Sequence, residues 1–133
     1  MRLMVKSLDR PDERPEPPKG RAEVVHMDGF SVVRGVLQPG WRYSNDWAQM
    51  LGTPSCPLPH AGVIVSGRFH FEMDDGTPVD LGPGDVYVIP AGHDAWVVGE
   101  EPVHQIDWGT PAGSEAEESS ELDRILVDLG PKA

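Results

Sequence analysis

The chemically versatile side chains of this chain are concentrated in one stretch, from Cys56 to Val98. It reads CPLPHAGVIVSGRFHFEMDDGTPVDLGPGDVYVIPAGHDAWVV, and it contains the single cysteine and three of the five histidines, His60, His70 and His93. Thiolate sulfur and imidazole nitrogen are good protein ligands for zinc, iron and copper. The plain alternative is that the cysteine is a small buried hydrophobe and that the histidines are structural.

Short runs of β-forming residues, separated by turn signals, must position these side chains. Asp-Gly and Pro-Gly pairs lie between several of the runs and predict tight turns and hairpins. Many short antiparallel strands are typical of a sandwich or a barrel. The predicted strands are Ala22–Met27, Phe30–Leu37, Ala61–Val65, Arg68–Met73, Val79–Leu81, Val86–Ile89, Ala95–Val98 and Val103–Trp108. Trp41–Met50 is aromatic-rich without a clear period and is read as an irregular strand or loop.

Alternation within one strand predicts which side chains point inward. From Arg68 to Met73, aromatic and polar residues alternate. If Phe69 and Phe71 fill the interior, then His70 and Glu72 lie on the outer face, as surface or subunit contacts rather than ligands.

Five further residues are candidates for the lining of a pocket. His104 shares a strand face with Trp108, and we expect that face to line the cavity, where His104 would serve in binding or proton transfer. Aromatic side chains are the other candidates, and core packing explains each of them about as well. They are Trp41, Tyr43, Trp96 and Trp108.

The two ends of the chain differ in composition from its middle. Residues 1–21 are predicted to contain an edge strand over 1–8 and a proline-rich arm over Arg10–Gly20 that cannot be helical. The arm is either a surface connector or a segment that pairs with a neighbouring subunit. Residues 22–109 form the predicted barrel, and residues 110–133 an acidic tail.

The acidic tail contains a predicted helix from Ser114 to Leu129. Ser114 and Glu117 fit a capping box, and Gly130 with Pro131 is a stop signal. Its apolar residues recur at helical spacing and form one stripe. They are Leu122, Ile125, Leu126 and Leu129. The stripe fits docking either on the outside of the barrel or on a partner subunit.

Composition excludes several classes of partner. The net charge of -11 argues against nucleic acid and against anionic membranes. No apolar run approaches the ~20 residues that span a bilayer, and the first residues lack the apolar segment of a signal peptide. A single cysteine excludes an intrachain disulfide, so we expect a cytoplasmic protein.

Two segments resemble the characteristic motifs of the cupin family. GDVYVIPAG, from Gly84 to Gly92, is similar to the second cupin motif, and HAGVIVSG, from His60 to Gly67, is similar to the end of the first. SGRFHFEMDDG and GPGDVYVIPAGHDAWVVGEEP resemble small single-domain bacterial cupins, so the resemblance covers roughly residues 22–108. It implies an all-β fold, a cupin-like double-stranded β-helix (jelly-roll) barrel, here with an N-terminal arm and a C-terminal α-helix. It also implies a homodimer, because cupins commonly dimerise through edge strands.

The usual cupin metal ligands are replaced in this chain. The first motif usually places two histidines and a glutamate where this sequence has Pro54, Cys56 and His60. The second motif places a histidine where this sequence has Ala95, but His93 lies two residues earlier, on the same face of an extended strand. Cys56, His60 and His93 could nonetheless supply a Cys-His-His ligand set with an open fourth position for a divalent metal, with zinc favoured over iron or copper. The alternative is a pocket that binds no metal. A turn at this point would instead direct His93 outward.

The resemblance leaves more than one function open, because cupins include enzymes, binding proteins and sensors. The first interpretation is a small-molecule-binding cupin with a barrel cavity, with or without a metal at the Cys/His/His site. The alternative is a metal-dependent cupin enzyme of the isomerase, cyclase or dioxygenase type that acts on a small organic substrate. A purely structural dimer without a ligand is the third.

Overall fold

Eight β-strands and two short helical turns form the part of the chain that the computed structural model describes, residues 2–108. All eight predicted strands are present, and the predicted C-terminal helix over Ser114–Leu129 lies outside the described residues. No helix among the described residues has the length and apolar character needed to cross a membrane. The elements are β1 (Gly20–His26), β2 (Ser31–Leu37), α1 (Tyr43–Asp46), α2 (Ala48–Leu51), β3 (His60–Ser66), β4 (Arg68–Met73), β5 (Pro78–Leu81), β6 (Val86–Ile89), β7 (His93–Val98) and β8 (Val103–Asp107).

The strands form two antiparallel sheets that face each other across one hydrophobic core. One sheet has the order β1-β2-β8-β3-β6 and the other the order β5-β4-β7. Phe69 and Phe71 of β4 are 2% and 4% exposed, and they pack in the same cluster as Ile64 of β3 and Val103 of β8. The predicted alternation of β4 is confirmed, because burying its aromatic face leaves the polar face outside.

The N-terminal arm occupies the free edge of β1. Val24 donates its N–H to the Glu13 carbonyl at 3.0 Å, and Ala22 donates to the Pro15 carbonyl at 2.9 Å. Residues 2–8 contain no strand, so the edge strand predicted over residues 1–8 was wrong for them, and residues 13–15 cover the β1 edge instead. The arm pairs with its own barrel.

The aromatic segment after β2 forms the two helical turns, and not an irregular strand or loop. Arg42 donates its N–H to the Asp46 carboxylate at 2.8 Å at the start of α1. Ser44 donates both its N–H and its hydroxyl to Asp94 of β7, at 3.0 Å and 2.8 Å. These bonds fix the segment against β7, with the Tyr43 ring buried.

Candidate metal centre

Three separate segments bring Cys56, His60 and His93 together. His60 begins β3 and His93 begins β7, while Cys56 precedes β3 and forms an isolated antiparallel bridge with His93. Cys56 donates its N–H to the His93 carbonyl at 2.7 Å, and Gly92 donates to the Cys56 carbonyl at 2.8 Å. Gly92 has a φ of +87°, a conformation that glycine adopts without steric penalty. The turn therefore ends at Gly92, and β7 starts two residues earlier than predicted, with His93 inside.

The ligand atoms of these three residues all lie within 4.8 Å of one another. Cys56 Sγ is 3.5 Å from His60 Nε2. Tetrahedral zinc, with a Zn–S distance near 2.3 Å and Zn–N near 2.05 Å, holds sulfur and nitrogen about 3.6 Å apart. Cys56 and His93 are 6% and 1% exposed. The set therefore has the composition, the burial and nearly the spacing of three metal ligands.

Each imidazole has an oxygen atom beside its Nδ1 atom. His93 Nδ1 is 2.7 Å from the carbonyl oxygen of Pro90, to which it donates a hydrogen bond. His60 Nδ1 is 3.6 Å from Asp107 Oδ2, close enough for an ion pair. Metal-ligating histidines commonly have such an acceptor, which fixes the ring and leaves the Nε2 lone pair for the metal.

Asp107, at the end of β8, is itself held by Tyr87 of β6. The Tyr87 hydroxyl donates a hydrogen bond to Asp107 Oδ1. Burial and the charge of Asp107 raise the pKa of Tyr87, so its hydroxyl keeps its proton. Gly62 of β3 lies beside this pair, and a Cβ at that position would be 2.5 Å from Asp107 Oδ1 and 2.7 Å from the Tyr87 hydroxyl. The absence of a side chain at Gly62 makes the contact between Tyr87 and Asp107 possible.

Cys56 and His60 form an ion pair that holds one proton over a wide pH range. Burial opposes ionisation of Cys56, but the hydrogen bond with His60 and the neighbouring His93 imidazole outweigh it and lower the thiol pKa to about 6. Burial likewise opposes the charged form of His60, but Asp107 and Cys56 outweigh it and raise the imidazole pKa to about 10. Between these values a thiolate faces an imidazolium. The thiolate is the form of cysteine that binds metals.

The three ligand residues lie in the wall of a cavity of about 100 Å³ inside the barrel. Most of the surrounding side chains are apolar. Two buried polar atoms in the wall, Trp41 Nε1 and Gln105 Oε1, have no hydrogen-bond partner among the described residues. The lining includes Trp41, Tyr43, Leu58, Phe69, Phe71, Tyr87, Gln105 and Asp107. Of the predicted pocket residues, the structure thus places Trp41 and Tyr43 in the lining.

Trp96 is not among the cavity-lining residues, contrary to the prediction. Its ring stacks on the His70 ring, with centroids 4.2 Å apart, and the Arg42 guanidinium lies 4.3 Å from its centroid. Ala95 and Val97, on either side of it in β7, are 2% and 7% exposed. Because neighbouring residues of a strand point to opposite faces, Trp96 is on the outside.

The predicted inward face of β8 was also wrong. Gln105 and Asp107 line the cavity, so the alternating residues His104 and Trp108 face outward. The sequence VHQIDW has Ile106 and Trp108 on one face, and this pattern predicts that the more apolar face lies in the interior. In the structure the interior at this point is a partly polar cavity wall, and the apolar face lies on the outside.

Sequence reasoning missed three polar residues of the cavity wall, Tyr87, Gln105 and Asp107. Tyr87 lies inside the GDVYVIPAG segment, and the other two alternate with His104. Their alternation in β6 and β8 was visible, but nothing in the local pattern indicates which of the two faces meets His60.

Solved structures resemble this chain at low identity. No protein-family model and no curated protein matches it. A double-stranded β-helix protein from Klebsiella pneumoniae subsp. pneumoniae is 20% identical, with a TM-score of 0.55 over 86% of this chain and 95% of that one. A cupin-like protein from Thermotoga maritima is 18% identical, with a TM-score of 0.52 over 90% and 83%. Ectoine synthase from P. lautus is 13% identical, with a TM-score of 0.60 over 91% and 86%. These similarities confirm the predicted fold, a cupin-like double-stranded β-helix.

Proposed function

We propose that this cupin-fold chain binds one divalent metal ion through Cys56, His60 and His93 and a small organic molecule in the adjoining cavity. The supporting observation is that three ligand atoms converge within 4.8 Å in the cavity wall. Zinc is the favoured metal, because one thiolate and two imidazoles suit a tetrahedral site with an open fourth position. Iron and copper accept the same ligand types.

The environment of the two imidazoles favours a metal over a purely structural Cys–His contact. Oxygen atoms of Pro90 and Asp107 lie beside the two Nδ1 atoms, which directs both Nε2 atoms toward Cys56. A divalent ion would displace the proton shared by Cys56 and His60 and would compensate the buried thiolate charge. A buried thiolate charge is unfavourable unless an opposite charge, such as a metal ion, is bound beside it.

Elemental analysis of the full chain, without a histidine tag, tests the metal. The metal-free protein is incubated with zinc, iron(II) or copper and then desalted. We expect about one ion per chain, and its loss in Cys56→Ala, His60→Ala and His93→Ala. His104→Ala is the matched control, because this histidine faces away from the cavity and should leave the metal content unchanged. Failure to retain any of the three metals, or full retention by all three ligand variants, would reject the site.

The small-molecule ligand is supported by the unpaired polar atoms of the cavity. Buried polar groups without a partner are unfavourable, and a ligand with one acceptor and one donor would satisfy Trp41 Nε1 and Gln105 Oε1. The volume of about 100 Å³ limits the ligand to a few heavy atoms, since an apolar cavity of roughly 150 Å³ holds benzene.

Thermal unfolding of the zinc-loaded chain tests this ligand class, with acetohydroxamate and acetamide as probes, because each carries a carbonyl acceptor and an N–H donor. Binding to the folded state raises the melting temperature as the probe concentration rises. Trp41→Phe keeps an aromatic ring but removes the N–H group, and should weaken probe binding about fivefold. An unchanged melting temperature with both probes, or equal binding by Trp41→Phe, would contradict the proposed pocket.

A metal-dependent cupin enzyme of the isomerase, cyclase or dioxygenase type is the second candidate. It is favoured by Tyr87 and Asp107, a hydrogen-bonded acid and carboxylate in the same cavity wall as the ligand atoms. A bound divalent ion would supply Lewis-acid polarisation of a carbonyl or enol oxygen. Tyr87 and Asp107 would then hold or transfer a proton beside that group.

Deuterium exchange at the α-carbons of acetone, a carbonyl compound small enough for the cavity, followed by NMR in D2O, tests this chemistry. We expect exchange with the zinc-loaded chain and at least a tenfold loss in Tyr87→Phe at unchanged zinc content. Exchange no faster than with free zinc would count against proton-transfer chemistry at this site.

A further inference from the structure

Part of the outer face of the five-stranded sheet is apolar and exposed. Across β8, β3 and β6, the register pairs Val63 with Val86 on one side and with Ile106 on the other, so these side chains share a face. Val86, Val88 and Val65 are 70%, 64% and 53% exposed, and Trp108 is 39% exposed. We call this surface the valine face. It consists of Val63, Val65, Val86, Val88, Ile106 and Trp108.

The other half of the same outer surface is already covered by one end of the chain. Val25 of β1 and Val36 of β2 alternate with inward residues, yet each is only 5% exposed. Arg34, which also faces this side, donates hydrogen bonds to the Leu8 carbonyl at 3.3 Å and to Asp9 at 3.1 Å. The N-terminal arm thus lies along the β1–β2 half of the sheet, and its coverage stops before the valine face.

We propose that residues 109–133 dock on the valine face of their own chain. The chain leaves β8 at Trp108, which is itself part of the valine face, so the next residues start beside it. The stripe of Leu122, Ile125, Leu126 and Leu129 supplies an apolar surface of helical period. Contiguous exposed apolar surface generally marks a contact of this kind.

The dimensions of the segment fit this surface. A helix from Ser114 to Leu129 would be about 24 Å long at 1.5 Å per residue. Residues 109–113 can extend about 17 Å at most. The valine face crosses three strands with spacings of about 4.8 Å, so the helix can lie across or along it without strain. Docking would also shield β6, which forms one edge of the sheet among the described residues.

Two charge substitutions in the predicted helix test the docking in the full-length chain, one inside the proposed contact and one on the opposite face of the helix. Leu126→Asp puts a carboxylate in the apolar stripe, and Ser120→Asp puts the same charge on the opposite face of the predicted helix. We expect Leu126→Asp to speed hydrogen exchange of the β6 amides at least fivefold and to lower the melting temperature by about 5 °C. Ser120→Asp should change neither quantity. Leu126→Ala should give a smaller effect in the same direction.

A double variant distinguishes direct contact from a general loss of stability. Val88→Asp alone should lower the melting temperature, and Leu126→Asp should add little to it, because both changes disrupt one contact. Additive effects, or equal exchange in the Leu126→Asp and Ser120→Asp variants, would overturn the proposal. So would β6 protection that rises with protein concentration, since a second copy would then cover the valine face. Unchanged metal content in every variant separates this outcome from that of the metal site.

Discussion

Gly62→Ala should be one of the most destabilising small substitutions in this barrel. The added Cβ would lie 2.5 Å from Asp107 Oδ1 and 2.7 Å from the Tyr87 hydroxyl, and closer still to the carbonyl oxygen of Ile106. β3 cannot move aside, because Gly62 is in register with Tyr87 on one side and with Asp107 on the other. Overpacking of this kind costs about 1–3 kcal/mol, and a lost hydrogen bond to a charged group costs a further 1.5–3 kcal/mol or so. We therefore expect a loss of about 3 kcal/mol or more.

Urea denaturation of the metal-free protein measures this loss, with Gly35→Ala as the matched control. Gly35 also faces the cavity from a strand, but its added Cβ would lie 3.5 Å from Gln105 Cγ, an ordinary contact. Alanine in a strand is favoured over glycine by about 0.5–1 kcal/mol, so Gly35→Ala should be neutral or slightly stabilising. A loss below about 1 kcal/mol for Gly62→Ala, or equal losses for both variants, would refute the assigned role of Gly62.

Three more predictions concern the site and its surroundings. Zinc affinity, measured by chelator competition, should rise about tenfold per pH unit between about pH 7 and 9.5. Between their pKa values of about 6 and 10, Cys56 and His60 share one proton, and zinc displaces that proton when it binds. A pH-independent affinity would contradict the ion pair. Asp107→Asn should weaken zinc binding about 10- to 100-fold in the same assay, because the acceptor beside His60 loses its charge. An unchanged affinity would show that Asp107 does not support the zinc site. Trp96→Ala should leave the zinc content unchanged and lower the free energy of unfolding by about 1 kcal/mol, because Trp96 contacts His70 and Arg42 on the outer face of the barrel. Loss of zinc in this variant would place Trp96 in the site.

Some expectations from the sequence stay predictions. The homodimer implied by the cupin resemblance is tested by sedimentation of the full chain, and a cytoplasmic location by fractionation of the source cells. The identity of the metal and the helix over Ser114–Leu129 likewise stay predictions, which the experiments above address directly.

The strands and the turns between them can be predicted from the amino-acid sequence alone. Local patterns suffice for this, because alternation and Asp-Gly or Pro-Gly pairs act over a few residues. The interior position of Phe69 and Phe71 followed from the same alternation. Spacing against the cupin motifs also selected Cys56, His60 and His93, which the structure brings within 4.8 Å.

The inward face of β8 and the residue that holds His60 follow from the folded barrel and not from the local sequence. The inward face of a strand depends on the strands that it pairs with, and β8 lies between β2 and β3, which are remote from it in the chain. That placement brings Asp107 beside His60, directs His104 and Trp108 outward, and requires a glycine at position 62. A local hydrophobic pattern cannot indicate this, because this cavity wall needs polar residues inside and leaves apolar ones outside. The metal ligands could therefore be chosen from spacing, but their surroundings depend on contacts between strands far apart in sequence.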